Sequence, residues 1–384
     1  MEKHRGKQSD NSLPKIDNIR KSEFTVFENV DYIKQIEELV PQAKQRVWIQ
    51  TMAFDGHGPF LKLKDLLENA ATRGVDAQFT TDTYYKLILS GSLYYAPRIS
   101  KAKRKKISSI KAEKENVLSE LEQNNVPVTI TNPPQTLQER INPARGRNHV
   151  KMAIIDDIAF MGDINNLVSK NQPGIMIKVT DPLLVESLAD LYQAAEKGKG
   201  DSDYEVIGKD GTSLLVDMGD KHQSLILDRA MAAIDSADSS VKITSQFTPD
   251  GAILQSLQAA HERGVKISTL IAGPEKITRP LPKIFDKRSQ LAFKKNGFTI
   301  PILEVPDWIH AKILLVDEDL PNAQGIVGTH CFSGKGVDWG TQEIALQSKN
   351  PSLLKQLRRY VGNLEAQAAQ RDTQKTVRKI IFPE

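Results

Sequence analysis

His149-Val150-Lys151-Met152-Ala153-Ile154-Ile155-Asp156 and His310-Ala311-Lys312-Ile313-Leu314-Leu315-Val316-Asp317 share one spacing, H-x-K-x4-D. Because the chain has only seven histidines in 384 residues, about 0.03 such matches are expected by chance, and a pair points to duplication. In both copies the motif opens a short apolar run closed by polar turn residues, which predicts a buried strand. Side chains alternate along a strand, so each His shares a face with the Lys two residues on. Asp156 and Asp317 have the opposite parity. They are read as turn or hydrogen-bond residues that end the strand, unable to aim at the same atom as their His.

The repetition extends outward from the motifs. Residues 43–54 (AlaLysGlnArgValTrpIleGlnThrMetAlaPhe) precede a helical pattern and then AlaThrArgGlyValAspAlaGlnPhe at 71–79. SerSerValLysIleThrSerGlnPhe at 239–247 and AlaHisGluArgGlyValLysIleSer at 260–268 repeat that order. A helix, an Arg-Gly turn and a strand, written twice, predict an α/β chain of two similar lobes, each a mixed β-sheet flanked by helices. Residues 1–21 read as a disordered lead, 22–196 as the first lobe, 196–203 as a linker and 204–384 as the second lobe. The halves are 190 residues apart at Gly74 and Gly264 but 161 apart at the two motif histidines. The first lobe therefore carries 29 extra residues, which composition places between Tyr84 and about Glu120.

An imidazole can act as nucleophile or acid, an amine can neutralise phosphate, and a carboxylate can orient its neighbours. Their duplication suits phosphoryl transfer. Gly162-Asp163-Ile164-Asn165 follows the first motif and Gly328-Thr329-His330-Cys331 the second. With these elements the chain resembles the phospholipase D superfamily, whose signature is two H-x-K-x4-D motifs followed by a Gly-Ser-x-Asn-like element. Asn165 fits that element, whereas Cys331 stands where Asn is usual. The segment from Glu343 aligns with the segment from Gly174, and only the second copy keeps the family's carboxylate.

The resemblance implies a duplicated fold with its active site between the lobes, and two-step displacement at a phosphodiester. His149 is expected as nucleophile, forming a phosphohistidine, and His310 as acid and base. Lys151, Lys312 and Asn165 are expected to hold the non-bridging oxygens, with no metal or other cofactor. Glu343 would orient His149 by accepting from its Nδ1. Asp156 and Asp317 complete the two catalytic triads of the signature. Thr329, His330 and Ser333 are candidate substrate-binding residues, although His330 reads more readily as loop structure.

The stretch from Tyr84 to Tyr95 is aromatic and aliphatic, and Lys101, Lys103, Arg104, Lys105, Lys106 and Lys111 follow it. Apolar groups beside clustered cations suit peripheral contact with an anionic membrane, and they equally suit a solvated helix or a nucleic-acid backbone. A net charge of only +4 argues against a protein that coats nucleic acid. Cys331 is the single cysteine, which excludes an intrachain disulfide and fits a reducing, cytoplasmic compartment. No apolar run approaches membrane-spanning length, and the first twenty residues lack the apolar core of a signal peptide. Three functions remain open: a phospholipase D-type enzyme of the cardiolipin synthase-like branch acting on phospholipids, a nuclease or other phosphodiesterase of the same superfamily, and a scaffold whose site has decayed.

Overall fold

The computed structural model describes residues 24–86, 101–133, 146–165, 174–195, 202–272, 302–305 and 309–381. The expected lead at 1–21, the Pro-rich stretch at 274–283 and most of the aromatic stretch at 84–95 lie outside them. So do most of the linker and the side chains of Lys101, Lys103, Arg104 and Lys106.

The first lobe holds strands β1 (Phe24–Glu28), β2 (Arg46–Thr51), β3 (Asp76–Asp82), β4 (Val128–Thr131), β5 (Met152–Ile155), β6 (Ile158–Gly162) and β7 (Ile175–Val179). Its helices are α1 (Asn29–Leu39), α2 (Pro59–Thr72), α3 (Lys101–Gln123) and α4 (Pro182–Ala194). The second lobe holds β8 (Tyr204–Ile207), β9 (Ser213–Asp217), β10 (Ser240–Ser245), β11 (Lys266–Ala272), β12 (Ile302–Val305), β13 (Ile313–Val316), β14 (Gln324–Gly328) and β15 (Glu343–Ser348). Its helices are α5 (Leu225–Asp235), α6 (Gly251–Glu262), α7 (Gly334–Asp338) and α8 (Pro351–Ile381).

The sheet orders are β4-β3-β2-β5-β6-β7-β1 and β12-β11-β10-β13-β14-β15-β9, with β8 added to the outer edge of the second. Three parallel strands, joined through crossovers, run into an antiparallel meander in each lobe. This is the expected duplicated, mixed-sheet α/β fold. The surplus of the first lobe falls in two places. The offset between lobes is 190 from Asp76 to Lys266, 174 from Val128 to Ile302 and 161 from His149 to His310. Part of the surplus therefore precedes β4, where α3 lies, and part follows it.

Strand alternation builds three cores. Met152 and Ile154 face the other lobe and share one cluster with Ile313 and Leu315 and with apolar residues of α4 and α8. Ala153 and Ile155 face outward onto α1 and α2. Leu314 and Val316 face outward onto α5 and α6. The two lobes thus meet through a shared apolar layer to which α4 and α8 contribute, each helix touching strands of both sheets. Each Leu or Ile buried there stabilises by about 2 kcal/mol, so the lobes form one folding unit.

The aspartates of both motifs close the β5–β6 and β13–β14 hairpins. Each has φ of 51°, in the left-handed region that a short polar side chain tolerates. Asp156 accepts from the backbone N–H of Lys44 at 3.0 Å, Gln45 at 2.8 Å and Arg46 at 3.1 Å. Asp317 accepts from Asp238 at 3.0 Å, Ser239 at 2.7 Å and Ser240 at 3.0 Å. Burial pushes both carboxyl pKa values up, and the N–H groups override it to hold them below the usual carboxylate range. Both aspartates are clamps between hairpin and neighbouring strand. Their expected place in a catalytic triad is corrected accordingly, because an oxygen committed to three backbone donors is spent. Asp317→Ala leaves those donors unpaired and costs about 2 kcal/mol. Differential scanning calorimetry reads this as a lowered Tm, while per-molecule activity of the folded variant stays unchanged.

Candidate active site

His149 is placed by a zipper between the lobes. Gly146 N–H donates to Trp339 O at 2.8 Å, Gln342 N–H to Arg147 O at 2.8 Å, and His149 N–H to Gln342 O at 2.9 Å. Asp82, at the end of β3, anchors the same segment from the other side. It accepts from Arg147 Nη1 at 3.1 Å, Asn148 N at 2.8 Å and Asn132 Nδ2 at 2.9 Å. The zipper ends at Glu343, whose Oε2 lies 2.8 Å and Oε1 3.0 Å from His149 Nδ1. A second-lobe carboxylate therefore faces the first-lobe imidazole.

The His149 and His310 ring centroids are 6.4 Å apart with the planes inclined at 65°. Both rings can reach one phosphoryl group. Lys151 and Lys312 are each 0% exposed. Each donates Nζ to the carbonyl of the His two residues before it, which leaves two ammonium protons per lysine for a ligand. Asn165 is half-buried near the end of β2, where Thr51 Oγ1 donates to its Oδ1 at 3.4 Å. Cys331 occupies the related place in the second lobe, its carbonyl accepting from Ser245 Oγ at 2.8 Å. Burial pushes its thiol pKa up.

The electrostatics follow from two cations and two carboxylates in a dry seam. Burial, then Lys312, lowers the Lys151 pKa to about 7. Burial lowers His149 to about 4, opposed by Glu343 and reinforced by Lys151 and Lys312. Burial and Lys312 lower His310 to about 3, opposed by Asp163. Burial pushes the Glu343 carboxyl up, but its pairing and hydrogen bond with His149, followed by His330 and Lys151, outweigh that and lower it to about 2, so it is ionised. At neutral pH both rings are uncharged. His149 donates Nδ1–H to Glu343, leaving the Nε2 lone pair free to attack.

Other sequence candidates fall differently. Thr329 is 0% exposed. Its Oγ1 donates to Ile344 O at 3.3 Å and accepts from Ile344 N at 3.0 Å, so it joins β14 to β15 and does not line a pocket. His330 is buried, with Nδ1 accepting from Phe332 N at 3.0 Å, as a loop-structure residue does. Ser333 is half-buried on the loop before α7, and Lys105 is exposed on α3. Asp82 and Asp163 were not anticipated as site-building residues. Asp82 sits in no motif. Asp163 lies inside the Gly162–Asn165 element, and its chemistry becomes visible only once its neighbours in space are known. Among the described residues, no group of three or more His, Cys, Asp or Glu side chains is placed to hold a metal ion, and no helix is long and apolar enough to cross a membrane.

Two α/β lobes related by duplication bring paired imidazoles and paired buried lysines together at their seam, an arrangement suited to holding and attacking a phosphodiester. The family described as "Cardiolipin synthase, PLD-like domain" matches residues 36–190 and 230–364. The chain belongs to that family, within the phospholipase D superfamily. Phosphatidylserine synthase from Haemophilus influenzae Rd KW20 is similar in fold, with a TM-score of 0.66 and 13% identity over 91% of this chain and 86% of that one. Polyphosphate kinase from Porphyromonas gingivalis aligns with a TM-score of 0.54 and 12% identity over 90% of this chain. This chain spans 50% of the kinase's length. No curated protein matches the sequence.

Proposed function

We propose that the protein is a phosphatidyltransferase or phospholipase of the phospholipase D type, acting on phospholipids through a phosphohistidine. The observation that carries this reading is the 6.4 Å pair of imidazoles, one from each lobe, flanked by two buried lysines. His149 Nε2 forms a bond to phosphorus and the bond to the headgroup oxygen breaks. His310 gives that oxygen a proton, then takes one from the incoming water or alcohol, which displaces His149. The lysines hold the non-bridging oxygens as charge develops. A phosphodiester anion bound between them offsets the Lys312 and Lys151 charges that add to burial in depressing His310, which helps that ring carry a proton when it is needed. The family's description supports the phosphatidyl group as cargo. Peripheral membrane contact through residues 84–111 belongs to the same proposal.

The test supplies purified protein, in excess chelator, with phosphatidylglycerol vesicles and separately with single- and double-stranded DNA. Phosphatidic acid or a phosphatidyl-exchange product from the lipid, with intact DNA, is the expected outcome. Cleaved DNA with intact lipid overturns the lipid reading in favour of a nuclease.

The pH dependence of kcat/KM is expected to be bell-shaped. Lowering pH through about 4 protonates His149 and removes the nucleophile. Raising pH strips the proton from free His310 first, because its pKa of about 3 lies below that of His149, and through about 7 it also discharges Lys151 and removes a phosphate-holding cation. The optimum therefore lies on the acid side of neutral, and Lys151→Arg, which stays charged, shifts the alkaline limb upward.

A further inference from the structure

We propose that Asp163 is the positioning residue for His310, a carboxylate delivered from the end of β6 because the first lobe has Gly174 where the second has Glu343. The inference rests on the proposed roles of the two imidazoles.

The lobes solve one problem in two ways. In the second lobe two residues divide the work. Thr329 N donates to Ile344 O at 2.9 Å and Thr329 Oγ1 accepts from Ile344 N at 3.0 Å, joining β14 to β15, while Glu343 faces His149. In the first lobe Asp163 N donates to Ile175 O at 3.0 Å and Asp163 Oδ1 accepts from Ile175 N at 2.9 Å. Asp163 thus stands where Thr329 stands and makes the same joint. Being a carboxylate, it has an oxygen left over.

That oxygen is unclaimed. Asp163 is 1% exposed, and its Oδ2 has no hydrogen-bond partner. An unpaired carboxylate oxygen in a dry site is costly unless a donor reaches it. His310 Nδ1 is 4.0 Å from Asp163 Oδ1, the oxygen that also accepts from Ile175 N, an ion-pair separation longer than a hydrogen bond. Among the described residues, the other charged or titratable groups facing this ring are Lys312, Lys151 and His149. Asp163 is therefore the described carboxylate that favours the Nδ1–H form of the neutral His310 ring across 4.0 Å, and it closes the gap when substrate charges the ring.

Gly174 is the condition for this arrangement. A Cβ there would sit 2.5 Å from Asp163 Oδ1, 3.2 Å from Ile164 Cγ1 and 3.4 Å from Asn29 Oδ1. A side chain at 174 and a carboxylate at 163 cannot both occupy the space. The two lobes thus exchange carboxylates: Glu343 reaches the first-lobe histidine and Asp163 the second-lobe histidine.

Asp163→Thr copies the joint made by Thr329 and removes only the carboxylate. Asp163→Thr with Gly174→Glu copies the whole second-lobe arrangement. Two phosphodiesters are compared: phosphatidylglycerol, whose alkoxide must be protonated as it leaves, and bis(p-nitrophenyl) phosphate, whose phenolate needs little help. For the single variant, kcat on phosphatidylglycerol is expected to fall by about 10²-fold with KM nearly unchanged, while single-turnover nitrophenol release stays within a few-fold. The double variant is expected to recover most of the loss. An undiminished kcat in Asp163→Thr, or an equal fall on both substrates with no recovery in the double variant, overturns the proposal. Nitrogen-15 spectra of the His310 ring at pH 7 decide independently of turnover. The Nδ1–H form is expected in the wild type, lost in the single variant and regained in the double variant. A tautomer that does not change overturns the proposal. If the wild type cleaves neither phosphodiester, the proposed function fails while these spectra still settle the role of Asp163.

Discussion

Replacing His149 by Asn is expected to lower turnover by roughly 10⁴-fold or more, because covalent catalysis loses the lone pair that attacks phosphorus. Asn keeps a polar group beside Glu343, so circular dichroism and Tm are expected to remain close to wild type. The same variant should form no covalent adduct under single-turnover conditions with labelled phosphatidylglycerol. Substrate binding, read by vesicle co-sedimentation, should persist, because Lys151, Lys312 and the second lobe are untouched. Activity within ten-fold of wild type would remove His149 from the chemistry.

Glu343→Gln is expected to lower kcat by roughly 10²- to 10⁴-fold, the range seen when the acid that orients a catalytic imidazole becomes an amide. Glu343 accepts from His149 Nδ1 through both oxygens, at 2.8 and 3.0 Å. An amide can turn its NH2 toward the ring and stabilise the wrong tautomer, with Nε2 protonated and no longer a nucleophile. Losing the anion also leaves two buried lysines facing fewer compensating charges, so the variant should bind inorganic phosphate more tightly even as turnover falls. Steady-state kinetics and phosphate inhibition measured side by side separate these effects. A fall in kcat together with weakened phosphate inhibition would indicate a collapsed site.

The duplicated architecture was legible because it is written in local patterns: the repeated motif spacing, the apolar runs that became β5 and β13, and the two Arg-Gly turns before β3 and β11. The family follows from the same residues. The split surplus was less legible because β4 (Val128–Thr131) and β12 (Ile302–Val305) share a place in their sheets but almost no residues. Thr329 reads as a pocket residue from its position beside the motif, yet its hydroxyl is used up by Ile344 across a strand pair that no local pattern announces. Asp163 was hidden for a related reason. Its meaning depends on an empty volume at Gly174, eleven residues on, and on an imidazole from the other lobe. A missing side chain and a distant ring leave no periodicity to read. At position 174 the aligned carboxylate is absent, and the fold offers a substitute from the adjacent strand.

The central claim is that two imidazoles from sister lobes work on one phosphorus atom, with His149 making the bond. The most direct measurement is mass mapping of enzyme quenched at alkaline pH after one turnover of bis(p-nitrophenyl) phosphate by His310→Asn, in which the phenolate leaves without an acid while breakdown of the adduct is slowed. A nitrophenylphosphoryl adduct on the peptide carrying His149, and on no other, is the predicted result. An adduct on another residue, or sustained turnover with no adduct at any time, would contradict the account.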